Sequence, residues 1–166
     1  MAGRAPTPSQ TVGPFFGFAL PFTGGADAVP TGAPGAYRIE GQVMDGADQP
    51  VSDCLLEVWQ EEQFARCRTD AEGAFHFNVS KPPAMHLADG RVRAPHLNVT
   101  VFARGLLRQL ATFVYFPDER EANEADPVLK LLDPEIRETL IARKDGKVLH
   151  FDIRLQGRDE TAFFAL

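Results

Sequence analysis

From Tyr37 onward, apolar and polar residues alternate with a period of two in one short run after another. "YRIEGQVMDG" sets Ile39, Gly41 and Val43 against Arg38, Glu40 and Gln42 and ends in Asp-Gly, a strand followed by a turn. "SDCLLEVWQ" puts Leu56 and Val58 on one side and Leu55, Glu57 and Trp59 on the other, and "GAFHFNV" points Phe75, Phe77 and Val79 one way. In "RAPHLNVTVFARG" (residues 93–105), Pro95, Leu97, Val99 and Val101 share one face, while His96, Asn98, Thr100, Phe102 and Arg104 share the other. "LATFVYF", then "KVLHFDIRLQG" with Leu149, Phe151, Ile153 and Leu155 against His150, Asp152 and Arg154, and finally "TAFFAL" complete the set. Many short strands between turn signals predict an all-β fold, a single antiparallel β-sandwich over 37–166.

Two short helices interrupt the pattern in the C-terminal half. Asp118 and Glu121 have N-cap and N3 spacing for "DEREANEAD", and Asp133-Pro134 opens "DPEIRETLI" with proline in its favoured first-turn position. Residues 1–36 are rich in Pro and Gly and read as an extended N-terminal arm without a core of its own. Phe15, Phe16, Phe18 and Phe22 are too many aromatics for a free tail, so the arm is expected to lie on its own domain or on a partner, with Phe15 and Phe16 anchoring it by burial.

Composition narrows the chemistry. At 166 residues, 44% hydrophobic and 24% charged, the chain suits one globular domain, and a net charge of -6 argues against nucleic acid or an anionic membrane as the main partner. Thirteen Phe against one Trp and two Tyr leave few phenols for metal or proton chemistry. Cys54 and Cys67 form no C-x-x-C pair and read as buried thiols. Pro, Gly and Gln interrupt the first 22 residues, so no signal peptide is expected, and no run approaches the ~20 apolar residues of a membrane helix. The expected location is the cytoplasm.

Periodicity ends at a β-sandwich. Four strings go further: "TPSQTVGPFF" at 7–16, "PVSDCLLEVWQ" at 50–60, "APHLNVTVFARG" at 94–105 and "FDIRLQG" at 151–157. With "YFPDE", "ADPVL" and "RETLIAR" in the second half, the chain resembles the intradiol ring-cleaving dioxygenases, and within them the alpha-type chains of heteromeric members. The resemblance implies a non-haem Fe(III) held by two Tyr and two His, which binds a catechol as its dianion. Hard phenolate oxygens suit Fe(III).

The ligand positions that the resemblance assigns are mostly lost. The His-x-His pair corresponds to His96 and Asn98, and a carboxamide is a poor substitute for imidazole on iron. The first ligand tyrosine belongs in an insertion after Trp59-Gln60, where this chain has none; the second follows the Lys81-Pro82 turn, where Ala84 and Met85 stand. The resemblance therefore implies an alpha subunit that binds no iron and pairs with an iron-bearing beta subunit of similar fold. The shared site would cleave 3,4-dihydroxybenzoate with O2 to 3-carboxy-cis,cis-muconate. Carried over by position, this chain's substrate-binding residues are Thr11, Gly13, Pro14 and Arg104, with His96 and Asn98 as vestigial metal positions.

Physical considerations agree with two separate sites. His96 and Arg104 would lie about 26 Å apart in an unbroken strand at ~3.3 Å per residue, too far for one small catechol. A permanently charged guanidinium suits a carboxylated substrate, and Gly13-Pro14 suits a pocket wall with close backbone approach. Tyr37, Tyr115, His76 and His150 read as ordinary strand residues. Two alternatives remain open: a catalytically silent binding protein, and a metalloenzyme with a site rebuilt from His86, His96 and another residue.

Overall fold

The computed structural model describes residues 6–165, so Met1–Ala5 of the arm and the final Leu166 of "TAFFAL" lie outside the described residues. In chain order the strands are β1 (Ala36–Met44), β2 (Leu55–Gln60), β3 (Gln63–Arg68), β4 (Ala74–Ser80), β5 (Met85–His86), β6 (Val92–Arg93), β7 (His96–Phe102), β8 (Leu110–Tyr115), β9 (Arg143–Asp145), β10 (Val148–His150) and β11 (Ile153–Arg154). The helices are α1 (Phe16–Ala19), α2 (Arg120–Ala125) and α3 (Pro134–Glu138), with a 3-10 turn at Leu129–Leu131.

Two sheets stack as the alternation requires. In the first, β4 pairs antiparallel along one edge of β1, and β10 pairs parallel along the other, with β11 taking up the pairing at Val43 and Met44. The second runs β3-β2-β7-β8 and is antiparallel throughout. Ile39, Val43, Phe77 and Val79 of the first sheet meet Leu56, Val58, Leu97, Val99 and Val101 of the second in one core. The all-β sandwich is borne out, and its parallel strand pairs are those that the C-terminal strands β10 and β11 make with β1.

One close approach fixes that return. A Cβ at Gly41 would lie 1.8 Å from the Phe151 carbonyl oxygen, a backbone atom that cannot step aside, so only glycine lets the segment between β10 and β11 cross β1.

Several local expectations change. Among its described residues, 161–165, the C-terminal "TAFFAL" forms no strand; Phe164 bridges to Ala111, and the Ala162 carbonyl accepts the Thr112 hydroxyl at 2.7 Å. "KVLHFDIRLQG" is broken at Phe151 and Asp152 into β10 and β11. The trimmed stretch after Trp59 is a β2–β3 hairpin, turned through Glu61 at φ 54 rather than through a glycine. Asp118 is no helix cap: α2 starts two residues later without a side-chain cap, and the Asp118 carboxylate instead takes a hydrogen bond from Lys81 at 2.6 Å. α3 does open on Pro134.

The arm is folded back on its own sandwich rather than simply extended. It contains α1, and Arg66 and Arg68 on β3 donate to the carbonyls of Leu20 and Gly17 at 2.9 and 3.4 Å. The Arg66 backbone N–H donates to the Gly25 carbonyl at 2.6 Å, sealing the open edge of β3. Phe15 does not anchor it: its ring is 77% exposed, Phe18 is 75% exposed and Phe16 is half-buried. Polar contacts to β3 and to Asn78 of β4 hold the arm, and Phe15, Phe18 and Phe22 stay largely exposed, Phe18 with the Arg68 guanidinium 5.3 Å from its ring centre.

Candidate functional site

The arm and the end of β7 meet at one corner. β7 stops at Phe102, and Ala103–Leu106 form a turn closed by Leu106 N–H to the Ala103 carbonyl at 3.4 Å. Gly105 takes φ +87 within it, the left-handed conformation that such a turn asks of its third residue. Arg104 therefore sits on a turn rather than continuing the His96 face of the strand. The Gly105 N–H donates to the Thr11 hydroxyl at 2.9 Å, tying the arm to the residue beside Arg104. Val12 and Gln10 line a small cavity of about 190 Å³ with Phe102, Leu106 and Leu107.

Arg104 is 67% exposed, and its Nε donates to the Asp53 carboxylate just ahead of β2. Among the described residues its terminal nitrogens donate to no protein acceptor. The guanidinium is thus aimed but not consumed. Gly13 and Pro14 are exposed, and a Cβ on Gly13 would meet nothing within 4 Å. The close backbone approach expected of Gly13 is not made within this chain. Of the four carried-over residues, the structure brings Thr11 and Arg104 to one corner and leaves Gly13 and Pro14 on the solvent side of the same arm.

The His96 end is built differently. His96 is 1% exposed, with its ring stacked on Tyr115 at 5.3 Å and edge-on to Phe113 at 5.4 Å. Its Nδ1 lies 2.7 Å from the Ala94 carbonyl oxygen, an acceptor only, so Nδ1 carries the proton and Nε2 presents a bare lone pair. Burial, and then the nearby Arg93 charge, hold the imidazole well below its ordinary range, at about 4. It is neutral at pH 7.

These residues do not fit a four-ligand ferric site. The Asn98 amide donates to the Trp59 carbonyl at 3.0 Å and to Gln60 Oε1 at 2.6 Å, so its side chain is committed to β2. Ala84 offers no donor, and the soft Met85 thioether is ill matched to Fe(III). His86 is exposed on β5, outside the buried cluster that holds His96. Among the described residues, no group of three or more His, Cys, Asp or Glu is arranged to hold a metal ion.

Three comparisons place this geometry among known proteins. The chain is 41% identical to the protocatechuate 3,4-dioxygenase alpha chain of Burkholderia cepacia, the match covering 95% of this chain and 96% of that one. The chain belongs to the protocatechuate 3,4-dioxygenase alpha-chain family. It is also 30% identical to the beta chain of the same enzyme from Burkholderia cepacia, over 81% of this chain and 71% of that one. Among solved structures it matches the dioxygenase domain of a dioxygenase and carbohydrate-binding protein fusion from Streptomyces sp. SirexAA-E. There the TM-score is 0.60 at 27% identity, covering 80% of this chain and 88% of that one. No family model matches the sequence.

For a member of the alpha-chain family, the residues that sequence reasoning missed are instructive. Arg93, Asp126 and Phe113 surround His96 and Tyr115 but lie on β6, the α2 C-terminus and β8. Only Asp126 carried a local signal, an aspartate just ahead of a short helical turn. Its Oδ1 receives the Val128 and Leu129 N–H groups at 2.8 and 3.0 Å. Asp53, which orients Arg104, carried none.

Proposed function

We propose that this chain is the iron-free alpha subunit of a heteromeric intradiol dioxygenase. That enzyme would cleave protocatechuate with O2 to 3-carboxy-cis,cis-muconate, with the Thr11–Arg104 corner completing the active site of an iron-bearing beta subunit. One observation carries the reading: of the metal-ligand positions that the resemblance assigns, His96 alone keeps a residue suited to iron, whereas the corner that faces outward keeps its charge. Its working part is binding. The exposed guanidinium supplies a permanent charge and fixed N–H donors for the substrate carboxylate, and Asp53 limits the conformers it must give up on binding. Gly13 adds no side chain, and Pro14 no amide donor, to the wall that they present to an approaching partner. The outward Phe15, Phe18 and Phe22 are apolar area suited to the same partner. A cytoplasmic location follows from the same reading.

Arg104→Ala in the assembled enzyme tests this. A substrate carboxylate held by Arg104 makes KM for protocatechuate rise ten-fold or more, with iron content unchanged. Loss of assembly at unchanged substrate affinity would instead assign Arg104 to the interface. The Asp53 pairing gives a second reading some support, a silent β-sandwich in which Arg104 only braces its own turn; there Arg104→Ala changes stability alone.

A further inference from the structure

One cleft carries positive charge in an acidic chain. It has a volume of about 580 Å³ and opens where α2, the end of α3 and the start of β9 come together. Arg120, Arg137, Arg143 and Lys144 line it against Glu124 and Glu138, a formal charge of +2 in a chain whose net charge is -6. Arg137 is committed to its own loop, its Nε donating to the Leu129 carbonyl at 3.0 Å. Arg120, Arg143 and Lys144 are exposed; Arg143 reaches the Asp152 carboxylate at 3.9 Å, and among the described residues the other two make no side-chain hydrogen bond or ion pair. Pro117, Ile141 and Ala142 add an apolar lining. That side is held in place, because the Ala142 N–H donates to the Tyr115 carbonyl at 3.1 Å and the Tyr115 N–H to the Leu140 carbonyl at 2.8 Å.

Asn123 marks the same cleft independently. It is 5% exposed, lines the cleft, and lies three residues from Arg120, on the same face of α2. Its Nδ2 donates to the Phe116 carbonyl at 2.9 Å, an acceptor only, which fixes Oδ1 as the free end of the amide. Oδ1 is buried without a hydrogen-bond partner. An unpaired buried acceptor is costly, so a ligand that brings a donor to it gains more than the bond would yield in water.

We infer that this cleft binds a small hydroxylated organic acid, a monocarboxylate with an apolar body. The carboxylate meets Arg120, Arg143 and Lys144, the apolar body lies on Pro117, Ile141 and Ala142, and the hydroxyl donates to Asn123 Oδ1. Because Oδ1 is closed to solvent, the hydroxyl reaches it when the exposed Arg120 or Glu124 side chain changes rotamer. The excess of cations selects an anion, while Glu124 and Glu138 disfavour a dianion such as a phosphate monoester. The apolar lining selects an organic acid over an inorganic ion.

Mandelate is the probe, with phenylacetate as the same acid lacking the hydroxyl, each titrated into the full-length chain and followed by NMR. Mandelate should shift the Asn123 side-chain amide and the Ala142 methyl saturably, beyond a sodium chloride control of equal ionic strength. Phenylacetate should bind about two- to ten-fold more weakly, the loss of one hydrogen bond. Arg143→Gln and Lys144→Gln, both at exposed positions, should each weaken mandelate several-fold and leave Tm unmoved. Equal binding of the two acids overturns the inference, as do Arg143→Gln and Lys144→Gln chains that bind mandelate like the native one. Shifts that sodium chloride reproduces overturn it too. Saturable shifts at Gly105 alone would put mandelate at the Thr11–Arg104 corner, overturning the cleft and leaving the proposed function standing.

Discussion

The Thr11 hydroxyl accepts the Gly105 N–H at 2.9 Å across 94 positions of sequence. That bond joins an arm with few other tertiary ties near its start to the turn that presents Arg104.

Thr11→Val removes the acceptor with little change of shape. A hydrogen bond of this kind contributes about 1 kcal/mol, so thermal unfolding should move by only ~2–4 °C for a chain of this size. The sharper effect is local, a marked rise in hydrogen exchange at the Gly105 amide. Unchanged exchange there would show that the arm is held without Thr11.

Two glycines should behave in opposite ways. At Gly41 a methyl group meets the Phe151 backbone at 1.8 Å, so Gly41→Ala should cost roughly 3 kcal/mol or more in urea unfolding. At Gly13 the space is open, so Gly13→Ala should stay within about 0.5 kcal/mol in the lone chain. In the assembled enzyme, however, Gly13→Ala should raise KM, because the missing neighbour is then the partner's pocket. A Gly13→Ala enzyme with native KM would remove the arm from the site.

Burial of neutral His96 makes stability depend on pH in a defined direction. Its imidazole titrates at about 4 in the folded chain against about 6.5 unfolded, so between these values the unfolded chain binds a proton that the folded one refuses. Stability therefore falls as pH drops through that window, by up to about 3 kcal/mol from this group, and is indifferent to it above. His96→Gln should flatten the urea midpoint between pH 6.5 and 4 relative to the native chain. Parallel profiles would mean that His96 is protonated or exposed in the folded state.

These cases show what the sequence could and could not reveal. Alternation placed Ile39, Phe77, Leu97 and Val99 in one core correctly, because a side-chain period of two needs no knowledge of the partner strand. It failed where tertiary contact overrides local pattern. Asp118 has the spacing of a cap but binds Lys81, and residues 161–165 make a bridge at Phe164 in place of the expected strand. Strand parity also carried Arg104 onto the His96 face, because nothing local announces that β7 ends at Phe102 and that Gly105 turns the chain. That Asn98, Ala84 and Met85 stand where the resemblance expects ligands was legible in the sequence. The Arg93–Asp126 pairing was not, since the two are brought together only by the packing of the α2 region on β6 and β8.

The most direct measurement is iron and ring-cleaving activity of this chain alone and after assembly with an iron-bearing beta chain. The expected result is no stoichiometric iron and no cleavage of protocatechuate from the lone chain. The complex should contain iron, cleave protocatechuate and lose substrate affinity on Arg104→Ala at constant iron. Stoichiometric iron with ring cleavage by the lone chain would contradict it.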